Sequence, residues 1–330
     1  MKPTRPQLLL CAAAILVIGA AATFGPTRAH LTSAIGALRG ANSNWLGLAA
    51  LGFASAFGCT VGAWTAAFRA AGGRICPRQA AARLGVGSIV NTFAPARLGD
   101  AVKVALCSQA IDAPGRLWTA GGVYAALSAA RCLALAALVV VAAATGALPW
   151  WPVVVLCSFV AVLALVGTLS GRLRERHVAQ LVAGLASLER SPRAIATVLG
   201  FTFGMAAARL GAAIAVAASL GIPHPVLAAL VILPALDVAS VFPITPGGVG
   251  IGSGAVAVAL AGRGIGIADA LGAGIAIQAL ESAVSIAAGS LGILYLAQSR
   301  PAARWMLRAA TVGASLALVA ALGAFVLDLT

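Results

Sequence analysis

The sequence predicts an all-α polytopic membrane protein, with about seven spanning helices plus two re-entrant helical hairpins in an inverted repeat. Three observations carry that prediction. Hydrophobic residues make up 61% of the 330-residue chain and charged residues 9%, against about 25% charged in a soluble domain, and mean hydropathy is +1.02. Apolar runs near the ~20 residues a spanning helix needs recur from end to end. Two further apolar stretches are each broken by a short polar motif, Asn91-Thr92-Phe93-Ala94-Pro95-Ala96-Arg97-Leu98-Gly99-Asp100 and Phe242-Pro243-Ile244-Thr245-Pro246-Gly247-Gly248-Val249-Gly250. A broken helix frees backbone N–H and C=O groups that lipid cannot satisfy, so such breaks belong in protein or against a polar cavity.

The elements follow in order. Lys2 and Arg5 precede a first apolar segment, Gln7 to Phe24, read as an uncleaved first helix. Segment two runs from Trp45 to Phe68 and leads into a basic loop with Arg69, Arg74, Arg78 and Arg83. The first broken stretch spans 84–110, segment three Leu117 to Ala147, and segment four Val153 to Ser170 after the turn Pro149-Trp150-Trp151-Pro152, whose indoles suit an interface. Residues 171–193 are basic and amphipathic (Val178, Leu181, Val182, Leu185, Leu188), as in a helix lying on the cytoplasmic surface. Segment five is Ala194 to Leu220, the second broken stretch 225–261, segment six Ala268 to Ala297, and segment seven Ala309 to Leu327. The organisation is therefore 1–44, first helix and external loop; 45–193, first repeat and its linker; 194–330, second repeat.

Loop charge sets the topology. With a cytoplasmic N-terminus and both broken stretches returning to the side they entered from, fifteen basic residues lie in cytoplasmic loops and three (Arg28, Arg39, Arg263) lie opposite. A full crossing by either stretch alone would move later basic loops to the wrong side. Segment two, hairpin, and segments three and four then form one unit, and segment five, hairpin, and segments six and seven another. The second begins 149 residues after the first (194 − 45), and Pro246 follows Pro95 by 151 (246 − 95). Each unit crosses an odd number of times, so the two are oppositely oriented, the plan of many secondary transporters.

The net charge of +14 does not call for nucleic acid. The excess sits in short loops, where the positive-inside rule explains it and anionic lipid is its natural neighbour. The cysteines (Cys11, Cys59, Cys76, Cys107, Cys132, Cys157) show no metal-ligand spacing, and His30, His177 and His224 stand alone. No paired carboxylates, nucleophile elbow or phosphate loop appears, so neither a cofactor nor an enzymatic centre is expected.

Charges at membrane depth are the candidate site. Arg97, Asp100 and Lys103 share a helix face behind Pro95. They read either as a site for a phosphate-bearing headgroup, with the helix N-terminus adding donors, or as a self-neutralised structural triad. Arg131 and Arg209 lie inside apolar segments and need a partner or water there; Asp237 and Glu281 are the candidate carboxylates, and Gln278 sits one turn from Glu281. Thr245, Pro246, Gly247, Gly248 and Gly250 offer a hydroxyl and flexible backbone, for a headgroup or for a tight packing turn.

At these residues the chain resembles the lysylphosphatidylglycerol synthase transmembrane, or flippase-like, integral membrane family. Asn91, Pro95, Arg97, Gly99, Asp100 and Lys103 are similar to its first motif, Thr245-Pro246-Gly247-Gly248-Val249-Gly250 to its second, and Arg131 falls where the family has an Arg. Ala96 stands for the usual Gly, Lys103 for an Arg, and Ser253 for a Glu after the second motif. The resemblance implies movement of an anionic or modified lipid (a phospholipid, polyprenyl-phosphate sugar or glycolipid) between leaflets of the cell membrane. The alternative is a non-transporting scaffold that presents a lipid to a partner glycosyltransferase or other lipid-modifying enzyme.

Overall fold

A computed structural model of the chain describes residues 36, 40–93, 98–112, 115–150, 191–240 and 250–297. Segments one, four and seven, residues 171–190 of the amphipathic linker, 94–97 of the first motif and 242–249 of the second lie outside the described residues, and the last residues of the linker, Pro192 and Arg193, belong to the helix of segment five.

The described residues form eight helices and no strand: α1 (Ser43–Ala70), α2 (Pro77–Phe93), α3 (Leu98–Ser108), α4 (Arg116–Ala144), α5 (Pro192–Ser219), α6 (Pro225–Ala239), α7 (Ile251–Ala261) and α8 (Ile267–Ala297). Four of them, α1, α4, α5 and α8, are long and apolar enough to cross a membrane. Local chemistry sets their starts. The Asn42 side chain accepts from the Asn44 N–H at the head of α1, and Ser191 accepts from the Ala194 N–H at the head of α5, with Pro192 next. Each such cap satisfies a donor that no preceding turn can reach. Proline at the first position, where its missing N–H costs nothing, opens α2, α5 and α6. For that reason α2 starts at Pro77 and takes in Arg78 and Arg83, ahead of the apolar stretch that marks the hairpin in the sequence.

Both breaks fall at the motifs: α2 ends at Phe93 with α3 starting at Leu98, and α6 ends at Ala239 with α7 starting at Ile251. The order long–short–short–long occurs twice, with lengths of 28, 17, 11 and 29 residues in α1 to α4 and 28, 15, 11 and 31 in α5 to α8.

Packing follows the same order. Among the described helices, every substantial helix–helix contact keeps a counterpart when α1–α4 are exchanged for α5–α8: α2 on α8 answers α6 on α4, α3 on α4 answers α7 on α8, and α1 on α5 answers itself. That central pair is antiparallel, since Gly52 lies against Ala212, Cys59 against Gly204 and Gly62 against Phe201. Buried apolar residues gather at its two ends. One core joins Trp64 and Phe68 of α1 to Leu84, Val123 and Leu127. The other joins Val216 of α5 to Ile232, Leu233, Leu260 and Ile277.

The seam of α2 on α8 is a close one. Gly85 abuts Ala288 and Gly289, and Gly292 abuts Ala82, so a Cβ on Gly85, Gly289 or Gly292 would collide with the facing helix. In lipid, where apolar burial gives little drive, such close backbone approach is what holds helices together. The first broken pair closes likewise: a Cβ on Gly99 of α3 would strike the Gly87 carbonyl and the Asn91 amide of α2.

Candidate functional site

Between the two cores the long helices part around a cavity of about 580 Å³ to which every described helix contributes. The wall is read off helical spacing. Tyr124, Ser128, Arg131, Leu135 and Leu138 form a single stripe of α4, and Gln278, Glu281, Ser282 and Ser285 a stripe of α8. Ser88, Asn91 and Thr92 come from α2, Lys103 from α3, Arg209 from α5, Asp237 and Ser240 from α6 and Gly252 from α7. Polar groups at this depth in spanning helices need protein or water around them, and the cavity lets them face both.

Two charge clusters flank it. In the first, Asp100 Oδ1 lies 3.0 Å from Lys103 Nζ, the i,i+3 partner on α3. The same oxygen accepts from Asn91 Nδ2 at 2.9 Å, and Oδ2 accepts from the Tyr124 hydroxyl at 3.1 Å. Asp100 therefore links α2, α3 and α4. Tyr124 is held by Trp64 of α1, whose ring centroid is 5.9 Å away and which stacks on Phe68 at 5.6 Å. A carboxylate with three donors is well satisfied away from bulk water.

In the second cluster Arg209 Nη1 donates to Asp237 Oδ1 at 2.8 Å. Its Nε lies 3.3 Å from Glu281 Oε1 without hydrogen-bond alignment. One guanidinium thus faces two carboxylates, from α6 and α8.

Arg131 differs. It sits mid-way along α4, open to the cavity, and among the described residues no carboxylate lies within ion-pair distance of it. A small void of about 10 Å³, roomy enough for about one water, touches it on the side of Thr60 and Thr202.

The structure brings together Asn91, Gly99, Asp100, Lys103 and Arg131 on one side and Arg209, Asp237, Gln278 and Glu281 on the other. Pro95, Arg97, Thr245, Pro246, Gly247 and Gly248 lie outside the described residues. Gly250, at φ +91°, opens α7 in a conformation that favours glycine. Ser253 faces protein: it is buried against Gly274 of α8, with its hydroxyl donating to the Gly250 carbonyl at 3.2 Å. Tyr124 and Ser128 escape a reading based on charge alone. Their signal is position, seven and three residues before Arg131 on one face of α4 (131 − 124, 131 − 128). Among the described residues no group of His, Cys, Asp and Glu could hold a metal ion.

The family model described as the lysylphosphatidylglycerol synthase TM region matches residues 9–289. No curated protein and no solved structure matches the chain.

Proposed function

The chain belongs to the lysylphosphatidylglycerol synthase TM region family, and from that premise we propose that it is a flippase-like transporter of the cell membrane, moving an anionic or modified lipid between leaflets without chemical change. The phosphate is received by Arg131, with Lys103 of the same cavity and the motif cation Arg97 as further cations, while the tail stays in lipid. The observation that carries this reading is Arg131 itself, a cation at membrane depth that opens on a cavity and has no carboxylate partner among the described residues. Such a charge is costly unless something anionic or wet answers it.

The paired helix lengths, the exchangeable contacts and the antiparallel meeting of α1 with α5 support an inverted repeat. In that reading α2–α3 and α6–α7 are re-entrant hairpins entering from opposite sides, the N-terminus is cytoplasmic, and access alternates around a fixed central site. A scaffold that merely holds a lipid has no need of a charged cavity walled by both halves, so transport is the better account.

Leaflet exchange of a fluorescent phosphatidylglycerol in proteoliposomes tests it. Exchange above protein-free vesicles is expected, with loss of about tenfold or more on Arg131→Ala, since a charged hydrogen bond contributes about 1.5–3 kcal/mol. Exchange indifferent to Arg131→Ala and Arg97→Ala would sink the reading.

A further inference from the structure

Arg131 borders two spaces at once. On one side is the cavity of about 580 Å³, and on the other the void of about 10 Å³ that it shares with Thr60 of α1 and Thr202 of α5. Helix register explains the meeting. Cys59 faces Gly204 and Gly62 faces Phe201 across the antiparallel α1–α5 pair, so Thr60 and Thr202 fall at one level of that seam. Thr202 is buried, at 3% exposure, and has no part in the wall of the large cavity, whereas Thr60 touches both spaces.

The hydrogen bonds of the two threonines make them complementary to a cation. Thr60 Oγ1 donates to the Ala56 carbonyl at 2.9 Å and Thr202 Oγ1 to the Val198 carbonyl at 2.8 Å, each one turn back on its own helix. A hydroxyl has one proton and two lone pairs, so with the proton committed each oxygen has only acceptor capacity left. Arginine is the converse, all donors and no acceptor. A water in the void accepts from Arg131 and donates to both threonine oxygens, which makes about three hydrogen bonds, the usual number for a buried water. Bonding of a threonine to its own helix is ordinary and signals nothing by itself. Here two such oxygens share one void with an arginine at membrane depth.

We propose that Thr202 and Thr60 are positioning residues: through one water in the void they hold Arg131 from behind and so aim it at a lipid phosphate in the cavity. The inference rests on the transport reading above and names the residues that serve its cation. A loose arginine spreads over many rotamers and gives up that freedom on binding, whereas an anchored one has given it up already. The anchor therefore shows as affinity for the anion.

Thr202 decides the test, because it does not line the large cavity. Calorimetric titration of the detergent-purified full chain with dihexanoyl phosphatidylglycerol reads the affinity. Thr202→Val keeps the shape and removes the hydroxyl, and is expected to weaken binding about tenfold, as for one lost hydrogen bond to a charged group. Thr202→Ser keeps the hydroxyl and removes a methyl, and is expected to bind within about twofold of the unaltered protein. A packing role alone gives the reverse order, since valine fills the seam as threonine does and serine leaves a hole. Thr202→Ala also lacks the hydroxyl and cannot overfill the void; it is expected to match Thr202→Val, and it serves if that variant does not fold. Binding that depends on Arg131 yet is unchanged in Thr202→Val and Thr202→Ala overturns this inference alone, as does Thr202→Ser weakened as much as Thr202→Val. Binding that is absent, or indifferent to Arg131→Ala, overturns the transport reading and this inference with it.

Discussion

Arg209 holds Asp237 at 2.8 Å across α5 and α6, inside the wall of the cavity. Both side chains are mostly withdrawn from solvent, at 20% and 28% exposure, so breaking the pair from either end strands charge. Arg209→Ala, which abandons Asp237 and Glu281 together, is expected to cost stability at the low end of about 3–5 kcal/mol, because the cavity wets one side of the cluster. The double variant Arg209→Ala, Asp237→Ala should lose less than the sum of the singles. Thermal unfolding in micelles checks it, and strict additivity would refute the coupling.

Arg131 should behave in the opposite sense. With no carboxylate within ion-pair distance among the described residues, Arg131→Met removes a charge from a spanning helix, where insertion of Arg costs about 2.5–3.5 kcal/mol. Melting temperature is expected to hold or rise while leaflet exchange falls. A collapse in melting temperature would mean that Arg131 is structural.

Tyr124→Phe removes one donor from Asp100 and leaves the Trp64 contact in place. The loss should be about 1.5–3 kcal/mol, as for a hydrogen bond to a charged group. The same substitution made with Asp100→Asn should cost less, which a double-mutant cycle measures.

The glycines separate into two kinds. Gly85→Leu or Gly289→Leu forces α2 from α8 and should cost about 1–3 kcal/mol or more. Gly58→Ala and Gly211→Ala, each with nothing near the new methyl, should be neutral or stabilise by up to about 1 kcal/mol. Equal unfolding temperatures for the two sets would show that the α2–α8 seam does not hold the fold.

Ser253→Glu puts a long carboxylate where Ser253 packs on Gly274. It should destabilise more than Ser253→Ala, by more than the ~1–3 kcal/mol of overpacking alone. Equal stability of the two variants would show that this position opens on water after all.

Periodicity and composition made the long helices legible: the apolar runs anticipate α1, α4, α5 and α8 to within three residues and a Pro/Gly motif marks each break, whereas α2 starts earlier than read, at Pro77. The deep charges were legible as a set, because an Arg in an apolar run stands out whatever its neighbours. Their pairing was not. Arg209, rather than Arg131, meets Asp237 and Glu281 because α5 contacts α6 and α8, a long-range fact that no local spacing encodes. Tyr124 was missed for a related reason: a phenol in a membrane helix reads as apolar until Asp100 of another helix reaches it.

The glycine seam between α2 and α8 also has a consequence in time. Translation delivers Pro77 of α2 about 190 residues before Ile267 of α8 (267 − 77). Until α8 arrives, the face of α2 around Gly85 has no mate, and the ribosome has yet to make the part of the chain that will cover it. The first half of this protein therefore enters the membrane unfinished, and its last contacts are written by the second.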